Sequence, residues 1–196
     1  MNDAGLIPTP SQTAGPFFHL GCTDTHAVSC LAGPRAKGER IWLTFRVLDG
    51  SGATVDDAMV EIWQADSEGK YNHPADAASD EHEAVKQDCT GFGRLATDKN
   101  GKCIFETVKP GRVAGNDGRL QAPHLNVSLF ARGVLNRLAT RIYFNGEAAN
   151  EEDSVLSLVP VERRVTLMAH QKAERPGHWH FDVRLSGENE TVFFDI

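Results

Sequence analysis

The side chains that could carry chemistry here are eight histidines, two tyrosines and a few well-placed arginines. In a strand, residues two apart point to the same side, so an H-x-H tripeptide aims two imidazoles at one metal ion. His124-Leu125-Asn126 is half of such a pair, because an amide stands at the second position and is a poor ligand for a transition metal. A hydrogen-bonded histidine on a polar strand face is the simpler reading. His178-Trp179-His180 is a true H-x-H. Two more ligands would be needed there and the sequence marks none, so a solvated strand face is expected. Tyr71 and Tyr143 are the only tyrosines, and Tyr143 sits among apolar residues as a packing side chain. Arg132 ends an apolar run, where a guanidinium can fork onto a carboxylate. Asp80-Glu81-His82-Glu83 reads as a solvated charge cluster. G-x-S-x-G, G-x-G-x-x-G and P-loop patterns do not occur. Cys22, Cys30, Cys89 and Cys103 form no C-x-x-C pair and match no zinc template, so free thiols are expected.

Short strands must position these groups. Ile41, Leu43, Phe45 and Val47 alternate with Trp42, Thr44 and Arg46, the period of a half-buried strand. Val60 to Trp63, His124 to Phe130, Leu138 to Phe144, His178 to Leu185 and Thr191 to Phe194 are further strand candidates. Gly93 to Thr97 and Lys102 to Val108 flank Asp98-Lys99-Asn100-Gly101, which reads as a hairpin. Pro160 followed by Val161, Val165 and Met168 at helical spacing predicts one short helix. The stretch Ala75 to Gln87 is polar and reads as a long loop. Residues 1–40 carry Pro8, Pro10, Pro16 and Pro34 and should form a mostly irregular arm. Its Phe17-Phe18 pair calls for a surface to dock on. The expectation is a mainly β, antiparallel β-sandwich over residues 41–196, with one or two short helices.

With 196 residues the chain is long enough for one well-buried core. Hydrophobic residues make up 40% and charged residues 24%, which excludes disordered, collagen-like and coiled-coil chains. The net charge of −7 repels phosphate backbones and anionic lipid, so neither nucleic acid nor membrane is an expected partner. No apolar run is long enough to span a bilayer, and the N-terminus lacks a signal-peptide pattern. A cytoplasmic protein is expected.

Three segments together resemble the intradiol ring-cleavage dioxygenases. They are Val60-Glu61-Ile62-Trp63-Gln64-Ala65-Asp66 running on to Tyr71, Thr107-Val108-Lys109-Pro110-Gly111, and Ala122-Pro123-His124-Leu125-Asn126-Val127. Thr9-Pro10-Ser11-Gln12-Thr13-Ala14-Gly15-Pro16-Phe17 is similar to the alpha-type subunit of the family's two-chain members. So are Leu129-Phe130-Ala131-Arg132-Gly133 and Glu190 to Asp195.

The resemblance implies non-heme Fe(III) held by two tyrosinates and two histidines. It also implies O2-dependent cleavage of an aromatic diol acid between its two hydroxylated carbons. This sequence departs from that ligand set. His124 keeps one position, Asn126 replaces the second histidine, and Arg112-Val113-Ala114 follows Gly111 where the family has a tyrosine. No tyrosine lies between Tyr71 and Tyr143 to supply the other ligand. The implied arrangement is a chain without its own iron, paired with an iron-bearing beta subunit in a symmetric hetero-oligomer of αβ pairs. Thr13, Gly15, Pro16 and Arg132 would then line the substrate cleft, and the arm of residues 1–40 would dock on the partner. Two other readings remain open. One is a free-standing transthyretin-like β-sandwich binding module. The other is an autonomous metalloenzyme built from His124, His178 and His180.

Overall fold

The computed structural model describes residues 9–73, 88–115 and 118–195. Eight strands build it: β1 (Arg40–Leu48), β2 (Met59–Trp63), β3 (Phe92–Ala96), β4 (Lys102–Val108), β5 (His124–Phe130), β6 (Leu138–Phe144), β7 (Met168–Gln171) and β8 (His178–Arg184). They follow the order β3-β2-β5-β6-β7-β8-β1-β4, a single sheet folded back on itself into a barrel-like sandwich. One layer is β3-β2-β5-β6 and the other β4-β1-β8-β7. The alternation read from the sequence holds in the core strands. Ile41, Leu43, Phe45 and Val47 face inward with Leu125, Val127, Leu129, Trp179, Phe181 and Val183. Phe45 meets Phe105 and Phe181 edge-on, at 5.6 and 6.0 Å between ring centres.

The mainly β sandwich is as expected, but its strands are not all antiparallel. β1 pairs with β8, and β6 with β7, in parallel. Parallel neighbours need a long crossover, and β1 and β8 come from opposite parts of the chain. Local turn patterns therefore carry no signal of that pairing.

Three local expectations need correction. The turn Asp98–Gly101 forms, with the Gly101 N–H donating to Asp98 O at 2.8 Å and Gly101 at φ +68°. Its flanking strands do not make a ladder, because β3 pairs with β2 and β4 with β1. The turn hands the chain from one layer to the other. The helix at Pro160 is a 3-10 segment, Val161–Leu167, and Met168 already belongs to β7. Val161 and Val165 are exposed, and Leu167 is the residue that packs inward. The final strand Thr191–Phe194 is reduced to one bridge, Phe194 with Ala139. The loop expected over Ala75–Gln87 and its charge cluster lie outside the described residues.

β3 and β4 sit at the two ends of the strand order, so each would leave an unpaired edge. The N-terminal segment fills the gap. Val28 and Arg94 exchange backbone hydrogen bonds at 2.8 and 3.0 Å. The Leu31 N–H donates to Glu106 O at 2.9 Å and the Glu106 N–H to Ser29 O at 2.8 Å. The Leu31 side chain enters the core, where it comes so close to Gly93 that a Cβ there would stand 2.7 Å from Leu31 Cδ1 and 2.8 Å from the Phe105 ring. Glycine is required at that point for packing. Earlier in the arm, the short helix α1 (Pro16–His19) leads into a π-helical turn, Leu20–Asp24. Phe18 packs on Phe130 at the end of β5, 5.4 Å between ring centres.

Leu31→Ala should destabilise the fold by about 3 kcal/mol, the cost of a large-to-small core change that also loosens the seal. Urea unfolding measures it as a lower transition midpoint with little change in slope.

Candidate functional site

The motif segments meet at one end of the β5 layer. Gln64, fully buried at the end of β2, donates through Nε2 to Ala65 O and Val108 O and accepts from Thr107 Oγ1 at 3.0 Å. The Gly111 N–H donates to Asp66 O at 2.8 Å. A Cβ at Gly111 would stand 2.5 Å from Ser67 O, so the Lys-Pro-Gly turn needs a residue without one. These contacts lock residues 64–71 against 107–111, and the chain after Gly111 is thereby aimed at Tyr71. A cleft of about 540 Å³ opens there, lined by Tyr71, Val113, Ala114, Arg119 and Arg141. A neighbouring one of about 500 Å³ is lined by Trp63, Asn126 and Arg141 among others.

The positions flagged by the ligand pattern therefore come together. His124, Asn126 and Trp63 share one face of this layer with Arg141 and Tyr143, as the strand pairing requires. His124 is 3% exposed, and its Nδ1 lies 2.8 Å from Ala122 O. Its other ring nitrogen, Nε2, is buried without a partner among the described residues. Burial, reinforced by the Arg141 charge, pushes the His124 pKa down to about 4, so the ring is neutral at pH 7. A neutral ring that donates from Nδ1 to Ala122 O leaves a lone pair on Nε2, the tautomer a metal ligand needs.

The remaining donors do not complete a ferric site of the family type. Asn126 directs its Nδ2 toward Tyr71 OH at 3.5 Å, and Tyr71 stacks on Trp63 at 6.0 Å. Tyr143 OH donates to Asp153 at 3.0 Å, and burial and that carboxylate push its pKa up, away from tyrosinate. Among the described residues no group of three or more His, Cys, Asp or Glu side chains converges on a point. One imidazole, one amide and the protonated Tyr143 phenol are not the two tyrosinates and two imidazoles that favour Fe(III).

Sequence reasoning missed Asp153, which is fully buried. Besides Tyr143 it accepts the Ala122, Val155 and Leu156 N–H groups, at 2.7 to 3.0 Å. It pins the crossover between β6 and β7 over this face, where Tyr143 packs with Ala149, Leu156, Val159 and Leu167. An acidic residue in a loop gives no sequence signal of such burial. Tyr71 was visible only as part of a motif, and its place beside Asn126 follows from the Gly111 turn.

His178 and His180 do not join His124. They lie on the outer face of β8 in the other layer, which removes the three-histidine metal site from consideration. His178 stacks on Trp42, 4.8 Å between ring centres, and His180 Nε2 is 2.6 Å from Asp182 Oδ1. Burial disfavours the Asp182 carboxylate, but His180 and Arg46 outweigh it and hold Asp182 well below the usual carboxylate range. All four cysteines are free, with Cys103 buried and its thiol pushed up to about 12 by desolvation.

Thr13, Gly15 and Arg132 gather elsewhere. Thr13 Oγ1 accepts the Gly133 N–H at 2.7 Å, and Gly15 O accepts the Phe18 N–H at 3.0 Å where α1 begins at Pro16. Arg132 and Gly133 form the centre of a turn closed by Val134 N–H to Ala131 O at 3.2 Å. Gly133 stands at φ +83°, the value the third residue of a type II turn demands. This group lies beyond the C-terminal end of β5, whereas His124 starts the strand. Six strand steps separate His124 from Phe130, roughly 20 Å at about 3.3 Å each.

The neutral, buried His124 predicts a pH response. Its folded pKa, about 4, lies below the ordinary value of about 6.5, so the unfolded chain binds the proton first. Stability is then complete above pH 6.5 and falls as pH drops toward 4, by a few kcal/mol on the linkage relation. His124→Gln should flatten the dependence of the urea midpoint in that window.

A dioxygenase family model matches residues 13–187. The alpha chain of protocatechuate 3,4-dioxygenase from Burkholderia cepacia is 43% identical over 97% of this chain and 98% of its own. The beta chain of the same enzyme from that organism is 35% identical over 79% of this chain and 67% of its own. Among solved structures, the dioxygenase domain of a carbohydrate-binding fusion from Streptomyces sp. SirexAA-E shares the fold. It has a TM-score of 0.63 and 20% identity, covering 91% of this chain and 99% of that one. No helix among the described residues is long and apolar enough to cross a membrane. The chain belongs to the intradiol dioxygenase family, as an alpha-type subunit of the protocatechuate 3,4-dioxygenase kind.

Proposed function

We propose that this chain is the iron-free half of a two-chain intradiol dioxygenase and lends substrate-binding groups to its partner's active site. The family uses iron, and an alpha-type chain implies a beta chain beside it. In this reading the beta subunit holds the Fe(III), which activates the ring of protocatechuate (3,4-dihydroxybenzoate) toward O2. Cleavage between the two hydroxylated carbons gives 3-carboxy-cis,cis-muconate. Residues of this chain bind and orient. The Arg132 guanidinium receives the substrate carboxylate, a pairing favoured by charge and by its planar fork. Thr13 holds the turn that carries Arg132, and Gly15 with Pro16 forms a low backbone wall along the ring.

One observation carries the reading. The Thr13–Gly133 hydrogen bond gathers the implied substrate residues at the end of β5 opposite His124, roughly 20 Å along the strand. Substrate groups so far from the chain's own remnant of a metal site are useful only to another centre. Two further facts support an interface there. Phe17 is 83% exposed beside them. Among the described residues nothing lies within 4 Å of where a Gly15 Cβ would stand, so that backbone is open to a partner. In the same reading the arm, whose residues 28–31 seal this chain's own sheet, meets the beta subunit through the exposed Phe17 and Leu20, and αβ pairs assemble symmetrically.

The test is to produce the chain alone and together with its beta partner, then to measure iron per chain and the visible spectrum. A tyrosinate-to-iron band and near-stoichiometric iron are expected only in the complex. Iron at one per chain in the isolated subunit would overturn the assignment. Phe17→Asp should weaken association with the beta subunit at least tenfold, measured by titration, since it places a charge in an apolar contact.

A further inference from the structure

Arg132 is not a loose surface side chain. Its Nε lies 3.0 Å from Asp57 Oδ2, while its side chain is 77% exposed and that of Asp57 only 28%. The guanidinium is ion-paired at its Nε edge, and its terminal nitrogens have no partner among the described residues.

The carboxylate that holds it stands on a rigid base. Asp57 precedes Ala58, which is fully buried. The Ala58 N–H donates to Thr97 Oγ1 at 3.0 Å, and the Thr97 N–H donates to Ala58 O at 2.8 Å. Thr97 Oγ1 donates in turn to Val55 O at 2.9 Å. Thr97 is itself buried, at 6% exposure. On the arginine side, the type II turn and the Thr13 hydroxyl fix the backbone of Arg132 and Gly133. Both partners therefore sit on anchored backbone, and the ion pair restrains a side chain with four rotatable bonds. An exposed ion pair adds little to stability, so a purely structural role would not account for this bracing.

We propose that Asp57 is a positioning residue for substrate. It pairs with Arg132 at the Nε edge and leaves the two terminal nitrogens unengaged for the carboxylate of the aromatic acid. The inference rests on the reading of Arg132 as the carboxylate receptor, and it adds the group that orients it.

The assembled αβ enzyme tests this with Asp57→Asn, Asp57→Glu and Arg132→Ala in the alpha chain. Two substrates are compared, 3,4-dihydroxybenzoate and catechol, which lacks the carboxylate. Asp57→Asn should raise KM for the acid roughly three- to tenfold with kcat nearly unchanged and leave the catechol parameters alone. Asp57→Glu should recover part of the loss, and complex size and thermal midpoint should stay the same. If Asp57→Asn leaves KM for the acid unchanged while Arg132→Ala raises it, the positioning role is overturned and the receptor reading stands. If Arg132→Ala also has no selective effect on the acid, both fail. Equal losses on acid and catechol would show a general structural defect and reject the role as well.

Discussion

The backbone groups at the open edges of β3 and β4 must find partners, and residues 28–31 supply them. Sheet edges left bare invite pairing with other chains, and a sandwich whose end strands do not reach each other has two. Here one irregular stretch bonds to Arg94 on one side and to Glu106 on the other, and Leu31 fills the space between the layers. The arm cannot leave without uncovering the core. This constraint fixes where the arm enters the molecule, and from there Phe18 reaches Phe130 and Thr13 reaches Gly133. The arm residues proposed for substrate binding, Thr13, Gly15 and Pro16, thus lie on a stretch anchored by a closure made in a different part of the arm.

The two ends of β5 show how one strand can carry two histories. At its start the family's ligand face survives in outline. His124 is still held in the ligand tautomer, the Lys-Pro-Gly turn still aims its sequel at the same cleft, and Gln64 still locks the two motifs together. What is missing there is donor chemistry, through Asn126 and the residues after Gly111. At its end the strand delivers Arg132 on a rigid turn, braced from Asp57. Fold alone would assign the same chemistry to both ends, and only the side chains separate them.

Much of this was legible in the sequence. Period-two alternation located β1, β5, β6 and β8, because each has one face on the core. The count of tyrosines and the Asn126 substitution were enough to question a metal centre. Pairing direction was not legible, since β1 and β8 meet through a contact between distant parts of the chain. The Asp98–Gly101 turn specified a reversal but could not say that its strands join different layers. Val161 and Val165 have helical spacing, yet the segment is a 3-10 turn whose burial falls on Leu167. Asp57 carried no motif at all, because its meaning lies in the side chain opposite it.

The separation along β5 has an evolutionary consequence. Substitutions more than about 10 Å apart with no shared partner act on stability nearly independently. Changes at Asn126 or after Gly111 could therefore accumulate without disturbing the turn that bears Arg132. A duplicated subunit built this way could shed its own reaction centre by small steps while its other end was refined to serve a neighbour. On the proposed function, once both ends had diverged a single reversion would restore neither independence nor catalysis, and the division of labour between two chains would act as a ratchet.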